Sequence, residues 1–397
     1  MYNRPCCAEG RDHELAAAAR DALRVQFGRH AEVLARAPGR LEVLGAHTDY
    51  NEGFVTAIAI EPATVVAGAR REDTLVRAWT DYGNATAQFD LRRPGEGPRG
   101  GWGDYLAGVA AELTGAGCAL PGADLAIVSD VPVGGGVSSS AALEVAGALA
   151  LVELAVCALD SEALALLCQR AENDFVGMRC GILDQFTSVF ARVERVLCLD
   201  CRTRERRLVS MADERVRFVV CDTRKPRELV TSAYNERRAE CERAATLLGV
   251  SALRDIDAAT LAARAGELDA TLLRRARHVV SENERVLAGV TALEAGDWAG
   301  LGALIDAAHL SLRDDYEVSC PELEAMRAAA LDAPGCLGAR LVGAGFGGCV
   351  LALVEADAVE RFAAQVAPRY QRATGLTPRI FATRAADGAG VMSADGE

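Results

Sequence analysis

The chain has 397 residues, 50% hydrophobic and 25% charged, with a net charge of −13. That length suggests two domains and leaves ample material for a core. The acidic balance argues against a nucleic-acid groove or an anionic membrane as partner, but not against an anionic small molecule held by local backbone dipoles. The N-terminus lacks the basic start and apolar core of a secretory signal. The apolar run from Ala141 to Leu167 is broken by Glu144, Glu153, Asp160 and Glu162, a poor pattern for crossing a bilayer. Thirteen cysteines form no framework. Cys198 and Cys201 have CxxC spacing without a second pair, so strand positions explain them better than zinc. A cytoplasmic chain with reduced thiols is expected.

In chain order, Glu14 to Phe27 has the spacing of an amphipathic helix. Leu41–Leu44, Phe54–Ile60, Thr64–Ala69 and Leu75–Trp79 read as strands. Arg92 to Gly103 reads as a Pro/Gly loop, and a helix resumes at Trp102–Leu113. Leu125–Ser129 is a strand that runs into "SDVPVGGGVSSSAALEVAG". Ala-rich helices follow to about Phe175. Val196–Cys201 and Val216–Cys221 are strands, and Arg227 to Ala308 is mostly helical. Arg340–Val342 and Val350–Val354 are strands around a second Gly-rich turn. Ala358–Thr374 is a helix that Pro368 should end or kink, and Pro378–Ala382 is a closing strand. Mixed strands and helices, with consecutive strands near the start, point to α+β layers. The expected division is 1–200 and 201–397.

Two stretches carry chemistry. "GRLEVLGAHTDYNEG", residues 39–53, packs His, Thr, Asp, Tyr and Asn between apolar segments. It is either a loop facing water or a pocket for a polar ligand. In the second, Gly134, Gly135 and Gly136 permit conformations closed to other residues, and Ser138, Ser139 and Ser140 stand at the cap of an Ala-rich helix. That arrangement points N–H groups and a positive helix end at one spot, suited to phosphates. It is not a Walker loop, since no GK[ST] follows and the only Lys is Lys225. The glycine spacing is not that of a Rossmann fingerprint either. A third stretch, Gly343 to Gly348, lets backbone approach something closely, or simply makes a tight turn.

Taken together these stretches resemble the galactokinase branch of the GHMP small-molecule kinases. Gly39 through Asn51 is similar to the galactokinase signature, Pro132–Ala142 to the family's phosphate loop, and Gly343–Gly348 to its C-terminal glycine motif. Residues 168–186, 232–242 and 309–324 are galactokinase-like as well. The resemblance implies a two-domain GHMP kinase fold: an S5-like N-terminal domain holding sugar and ATP, a ferredoxin-like C-terminal domain, and the active site between them. It implies ATP and Mg²⁺, a sugar 1-phosphate product, and a monomer or weak homodimer.

By that resemblance Asp184 faces the anomeric hydroxyl and Arg40 pairs with it. An adjacent guanidinium weakens a carboxylate as a base, so Arg40 would stabilise the developing alkoxide and the transferring phosphate. Ser140 and Glu172 match Mg²⁺ ligands. Trp102 and Tyr105 fall where nucleotide-side residues lie. His47, Asp49, Gly181 and Tyr234 match sugar-binding positions. The chain departs at Ala46, where galactokinases carry a Glu that accepts from the sugar's O6, and at Glu42, where Asn is common. One charged hydrogen bond is worth roughly 1.5–3 kcal/mol. Ala46 therefore leaves galactose as the expected substrate, with galacturonate or arabinose as alternatives. Arg224, Lys225 and Arg227 are candidate cations for a uronate. A non-catalytic galactose sensor is the remaining reading.

Overall fold

The computed structural model describes residues 10–93, 100–225 and 230–393. Helix α1 (Arg11–Phe27) leads into β1 (Val33–Leu44), β2 (Phe54–Arg71), β3 (Leu75–Thr80) and β4 (Ala85–Asp90). Next come α2 (Gly103–Gly115), β5 (Gly122–Ser129), α3 (Ser139–Ala155), α4 (Ser161–Arg170) and α5 (Leu183–Phe190). The β6–β7 hairpin (Arg195–Asp200, Arg206–Ser210) precedes β8 (Val216–Asp222). The helices α6 (Val230–Leu247), α7 (Ala258–Ala263), α8 (Ala270–Ala295), α9 (Trp298–Asp314) and α10 (Pro321–Leu331) follow. The chain closes with β9 (Cys336–Leu341), β10 (Cys349–Glu355), α11 (Val359–Thr374), β11 (Arg379–Thr383) and β12 (Gly390–Met392).

These strands make two sheets. The larger has eight strands in the order β12-β1-β2-β5-β3-β4, with β6 and β7 attached beside β2. The smaller has four, β11-β8-β10-β9, all antiparallel. The β6–β7 hairpin stays in the larger sheet, so the chain passes to the smaller one between Ser210 and Val216, and β12 returns to pair with β1. Division at residue 200 would cut that hairpin at its turn.

Apolar faces explain the layering. Helices α2 to α5 bury Leu106, Val145, Leu149, Leu164 and Phe186 against one face of the larger sheet. Helices α10 and α11 cover the smaller sheet through Met326 and Phe362, and α6 and α8 join the same apolar cluster through Ala244 and Val279. A third cluster, including Leu41, Ile58, Val137, Phe218, Leu301 and Leu351, joins the two sheets. The molecule is thus two layered units fused along a buried seam.

Several local expectations change. The two strands read at 54–60 and 64–69 are one strand, β2, running through Pro62. The β1–β2 register shifts nearby, between Pro38 and Arg40, so the missing N–H falls where the ladder is already interrupted. Helix α11 continues past Pro368 because Phe362, Val366 and Tyr370 stay buried along its inner face, and that packing outweighs one lost hydrogen bond. Strand β4 carried no pattern strong enough to read. The thiols are not all reduced: Cys118, after α2, and Cys157, after α3, form a disulfide because the two helices pack side by side. Cys198 is a β6 residue opposite Thr56, as strand positions predict. No helix among the described residues is long and apolar enough to cross a membrane.

Candidate active site

A cavity of about 420 Å³ opens between the two units. Its wall includes Arg40, His47, Asp49, Trp102, Tyr105, Gly134, Gly136, Ser138, Ser139, Ser140, Glu172, Asp184 and Tyr234. Those residues come from segments far apart in sequence, and the fold alone brings them together. Size and mixed lining suit a small polar ligand.

Strand β1 and the Gly-rich loop are fitted to one another. The Arg40 N–H donates to the Val137 carbonyl at 3.0 Å. A Cβ on Gly39 would stand 2.7 Å from that carbonyl oxygen, so only glycine permits the approach. Gly134 and Gly136 have φ of 71° and 80°. Ser138 has φ 57° without being glycine, a strained conformation of the kind kept at functional sites. It stands at the cap of α3, yet its hydroxyl does not cap the helix. It donates instead to Oδ2 of Asp184. The first N–H groups of α3 and its positive end therefore face the cavity beside Ser139 and Ser140, a geometry that favours an anion.

Asp184 sits in the first turn of α5. Its Oδ1 accepts from Nε of Arg40 at 2.8 Å and lies 2.8 Å from Nη2. Nη1 of Arg40 donates to the Gly136 carbonyl, tying the pair to the loop. The Arg40 side chain is 7% exposed and that of Asp184 is 21% exposed, so the carboxylate remains reachable from the cavity. Glu172 lies on a π-helical turn, Ala171–Val176, a local widening common at functional sites. Gln185 donates to Glu172 at 2.8 Å and to Glu144 at 2.9 Å, holding two buried carboxylates. Burial pushes both carboxyls up, and the neighbouring Asp184 charge adds to the rise at Glu172. The nearby Ser140 hydroxyl, also on the cavity wall, offsets a little of that rise at Glu172.

The other end is acidic and aromatic. Asp49 begins a 3₁₀ turn, and its Oδ1 accepts from the Tyr50 N–H at 2.9 Å. Burial, then the charges of Asp184 and Glu42, push its carboxyl up to about 7. Gly181 leaves room for it: a Cβ there would lie 2.2 Å from the Asp49 carboxyl group. His47 has φ 64°, and its Nδ1 is 2.7 Å from the Tyr50 hydroxyl, which in turn bonds Tyr316 at 2.7 Å. The Tyr234 ring stands 5.3 Å from the rings of both His47 and Tyr50. Burial lowers the His47 imidazole, favouring its neutral form.

Three expected site residues are not on the cavity wall. Gly181 acts from behind Asp49. Gly135 faces Pro132 and Cys349. Ala46 is fully buried, with its methyl in the core of the smaller unit. Its carbonyl accepts from Nε2 of His278 at 2.9 Å, and Oε1 of Glu282 accepts from the Gly45 N–H at 2.8 Å. That turn is locked from behind, and a methyl has no polar atom to offer a ligand. Sequence reasoning missed Thr80, Tyr82, Ile127, Ser129, Met178, Thr231 and Ala344 on the wall, and gave Glu42 no role there. Glu42 had a signal, the two-residue alternation from Arg40. Thr80 and Ile127 had none, because they depend on the parallel pairing of β3 with β5.

Fold, Gly-rich loop and polar cavity define a small-molecule kinase of the GHMP type. The model for the GHMP kinases N terminal domain matches residues 104–192, and that for the GHMP kinases C terminal matches residues 290–372. The galactokinase galactose-binding signature matches residues 22–70. A galactokinase of Roseiflexus sp. is 46% identical over 94% of this chain and 96% of its own length. The human galactokinase is 41% identical over 96% of this chain and 97% of its own. The structure of Lactococcus lactis galactokinase complexed with galactose matches with a TM-score of 0.91 and 34% identity, over 95% of this chain and 99% of that one. The chain belongs to the galactokinase family of GHMP kinases, and it is an ATP-using phosphotransferase with an alcohol group as acceptor.

Proposed function

We propose that this chain transfers the γ-phosphoryl group of ATP to the anomeric hydroxyl of galactose. The observation that carries this reading is the position of Asp184. Its carboxylate is fixed by Arg40 and Ser138 where the Gly-rich loop meets the acidic end of the cavity. A carboxylate has about four acceptor positions, so room remains for one sugar hydroxyl. In this reading Asp184 orients the attacking hydroxyl and accepts its proton. Arg40, within reach of the same oxygen, stabilises charge on the nucleophile and on the phosphoryl group in flight. The α3 N-terminus and the Gly134–Ser140 backbone hold the phosphates. Trp102 and Tyr105 face the nucleotide, and His47, Asp49 and Tyr234 hold the sugar.

Ser140 and Glu172 offer a hydroxyl and a carboxylate, hard oxygen donors that fit Mg²⁺. When bound with ATP, Mg²⁺ would neutralise phosphate charge. The galacturonate reading loses support at its cations. Arg224 lies 3.6 Å from Asp222 and Lys225 lies 3.0 Å from Glu322, and neither is on the cavity wall. Arg227 lies outside the described residues. The acidic end instead presents the carboxyl groups of Glu42 and Asp49, which give a uronate carboxylate no opposite charge to pair with.

The test is initial-rate phosphorylation of galactose, galacturonate, arabinose and N-acetylgalactosamine with Mg-ATP, against an Asp184→Ala background. Galactose should give the highest kcat/KM. A higher value for galacturonate or arabinose overturns the galactose assignment, and sugar binding without turnover of any of them restores the sensor reading.

A further inference from the structure

Glu42 lines the cavity, and no step of the phosphoryl transfer uses it. It stands two residues after Arg40 on β1, so the pleat turns both side chains to the same side. Register shifts against β2 bracket the two, between Pro38 and Arg40 and between Glu42 and Leu44. Irregularities of this kind re-aim side chains beside sites. Glu42 is 3% exposed. Its Oε2 is 3.4 Å from Nη2 of Arg340, a fully buried guanidinium that also donates to the Glu42 carbonyl at 2.9 Å. Its Oε1 has no hydrogen-bond partner among the described residues, and neither have Nε and Nη1 of Arg340. Nη1 is 4.0 Å from Oε1 of Glu282, the atom that takes the Gly45 N–H. Glu42 and the turn carrying Ala46 therefore share one buried charge network.

A buried carboxylate oxygen without a donor is costly unless a ligand or water supplies one. Here that oxygen belongs to a residue on the wall of a polar cavity. Arg340 holds one oxygen of Glu42 and leaves the other unclaimed. Resting on the sugar-kinase reading, we propose that Glu42 determines specificity: its free oxygen accepts a hydrogen bond from one sugar hydroxyl, and its carboxyl group disfavours sugars that carry a carboxylate there. The chain thus places an acceptor on β1, while Ala46 contributes no polar side-chain atom to the cavity.

The experiment measures kcat and KM of wild type, Glu42→Gln and Glu42→Met with galactose, galacturonate and 2-, 3-, 4- and 6-deoxygalactose. In wild type, removal of one particular hydroxyl should cost about tenfold or more in kcat/KM, as expected for a hydrogen bond to a charged group. In Glu42→Met that single penalty should shrink by about tenfold, mainly through KM, with the other hydroxyl penalties unchanged. In Glu42→Gln the preference for galactose over galacturonate should fall by about tenfold. If every penalty and the preference stay at wild-type values while the melting temperature drops, Glu42 serves only Arg340 and the proposal is overturned. Glu42→Gln keeps the shape and an oxygen for Arg340, so it carries the test if Glu42→Met does not fold. Wild type inactive on galactose overturns the galactose reading itself, whereas an active wild type with unmoved ratios overturns only the role of Glu42.

Discussion

At its Gly-rich end the cavity is walled largely by backbone. Gly134 and Gly136 take left-handed conformations, Ser138 is forced into one, and the first turn of α3 supplies N–H groups. At its acidic end the wall is side chains. Glu42, His47, Asp49 and Tyr234 converge from β1, the turn after it and α6. Backbone donors are fixed once the loop closes on β1, and they bind any phosphate alike. Side-chain acceptors must be buried and kept apart from one another, so they cost stability and can discriminate between ligands. In the proposed reading, generic affinity belongs to the first end and selectivity to the second.

Asp184 belongs to both ends, so its removal should have the largest effect. Asp184→Ala deletes the partner of Arg40 and the acceptor of the Ser138 hydroxyl. A decrease in kcat of about 10²–10⁴ is expected, with smaller changes in either KM. Stability should fall too, because Arg40 is left largely buried with the Gly136 carbonyl as its remaining partner. Asp184→Asn keeps the shape and separates the two losses. Single-turnover kinetics beside a thermal melt measure both. A kcat within a few-fold of wild type for both variants would show that the link between the two ends is not where the chemistry occurs.

The two ends also differ in how far the sequence exposes them. The Gly-rich end is local: three glycines, a serine run and the start of the following helix lie within ten residues, and left-handed φ favours glycine. Those residues by themselves mark a strand–helix junction. Even there the roles shift, since the Ser138 hydroxyl goes to Asp184 instead of the helix. The acidic end is legible as residue types in the 39–53 run, but its geometry is long-range. That Ala46 points into the core depends on His278 and Glu282, over two hundred residues away. That Glu42 keeps a free oxygen depends on Arg340, almost three hundred residues away. The fold shows the same split. Periodic helices and short alternating strands are readable, whereas β4, the return of β12 and the continuity of β2 through Pro62 are set by partners across the sheet.

A substitution confined to the acidic end should separate the two substrates. Gly181→Ala puts a methyl 2.2 Å from the Asp49 carboxyl group, so Asp49 must move. The KM for sugar should rise by about ten- to a hundredfold, the scale of one or two displaced charged hydrogen bonds. The KM for ATP should stay within about twofold, because Gly181 touches none of the Gly-rich loop. Initial rates with each substrate varied in turn make the measurement. Equal changes in both KM values would mean that the two ends do not act separately.

The smallest effect concerns stability and sharpens the comparison by its pH dependence. Asp49 is pushed up to about 7, first by burial and then by the charges of Asp184 and Glu42. In the unfolded chain an Asp ionises near 3.9. Between these values the folded chain holds a proton that the unfolded chain has released. Stability therefore falls as pH rises from about 4 to about 7, and the penalty is complete above that. Asp49→Asn removes the titrating group but keeps its size and its acceptor for the Tyr50 N–H. In the absence of sugar, the variant's melting temperature should gain on wild type by about 2–4 °C between pH 5 and pH 8. The variant should bind sugar less well, since the amide offers fewer acceptor positions. A melting-temperature difference that does not change with pH would remove Asp49 from the groups that make the acidic end costly. A difference that widens with pH, together with a weaker sugar KM, would tie selectivity and lost stability to the same carboxylate.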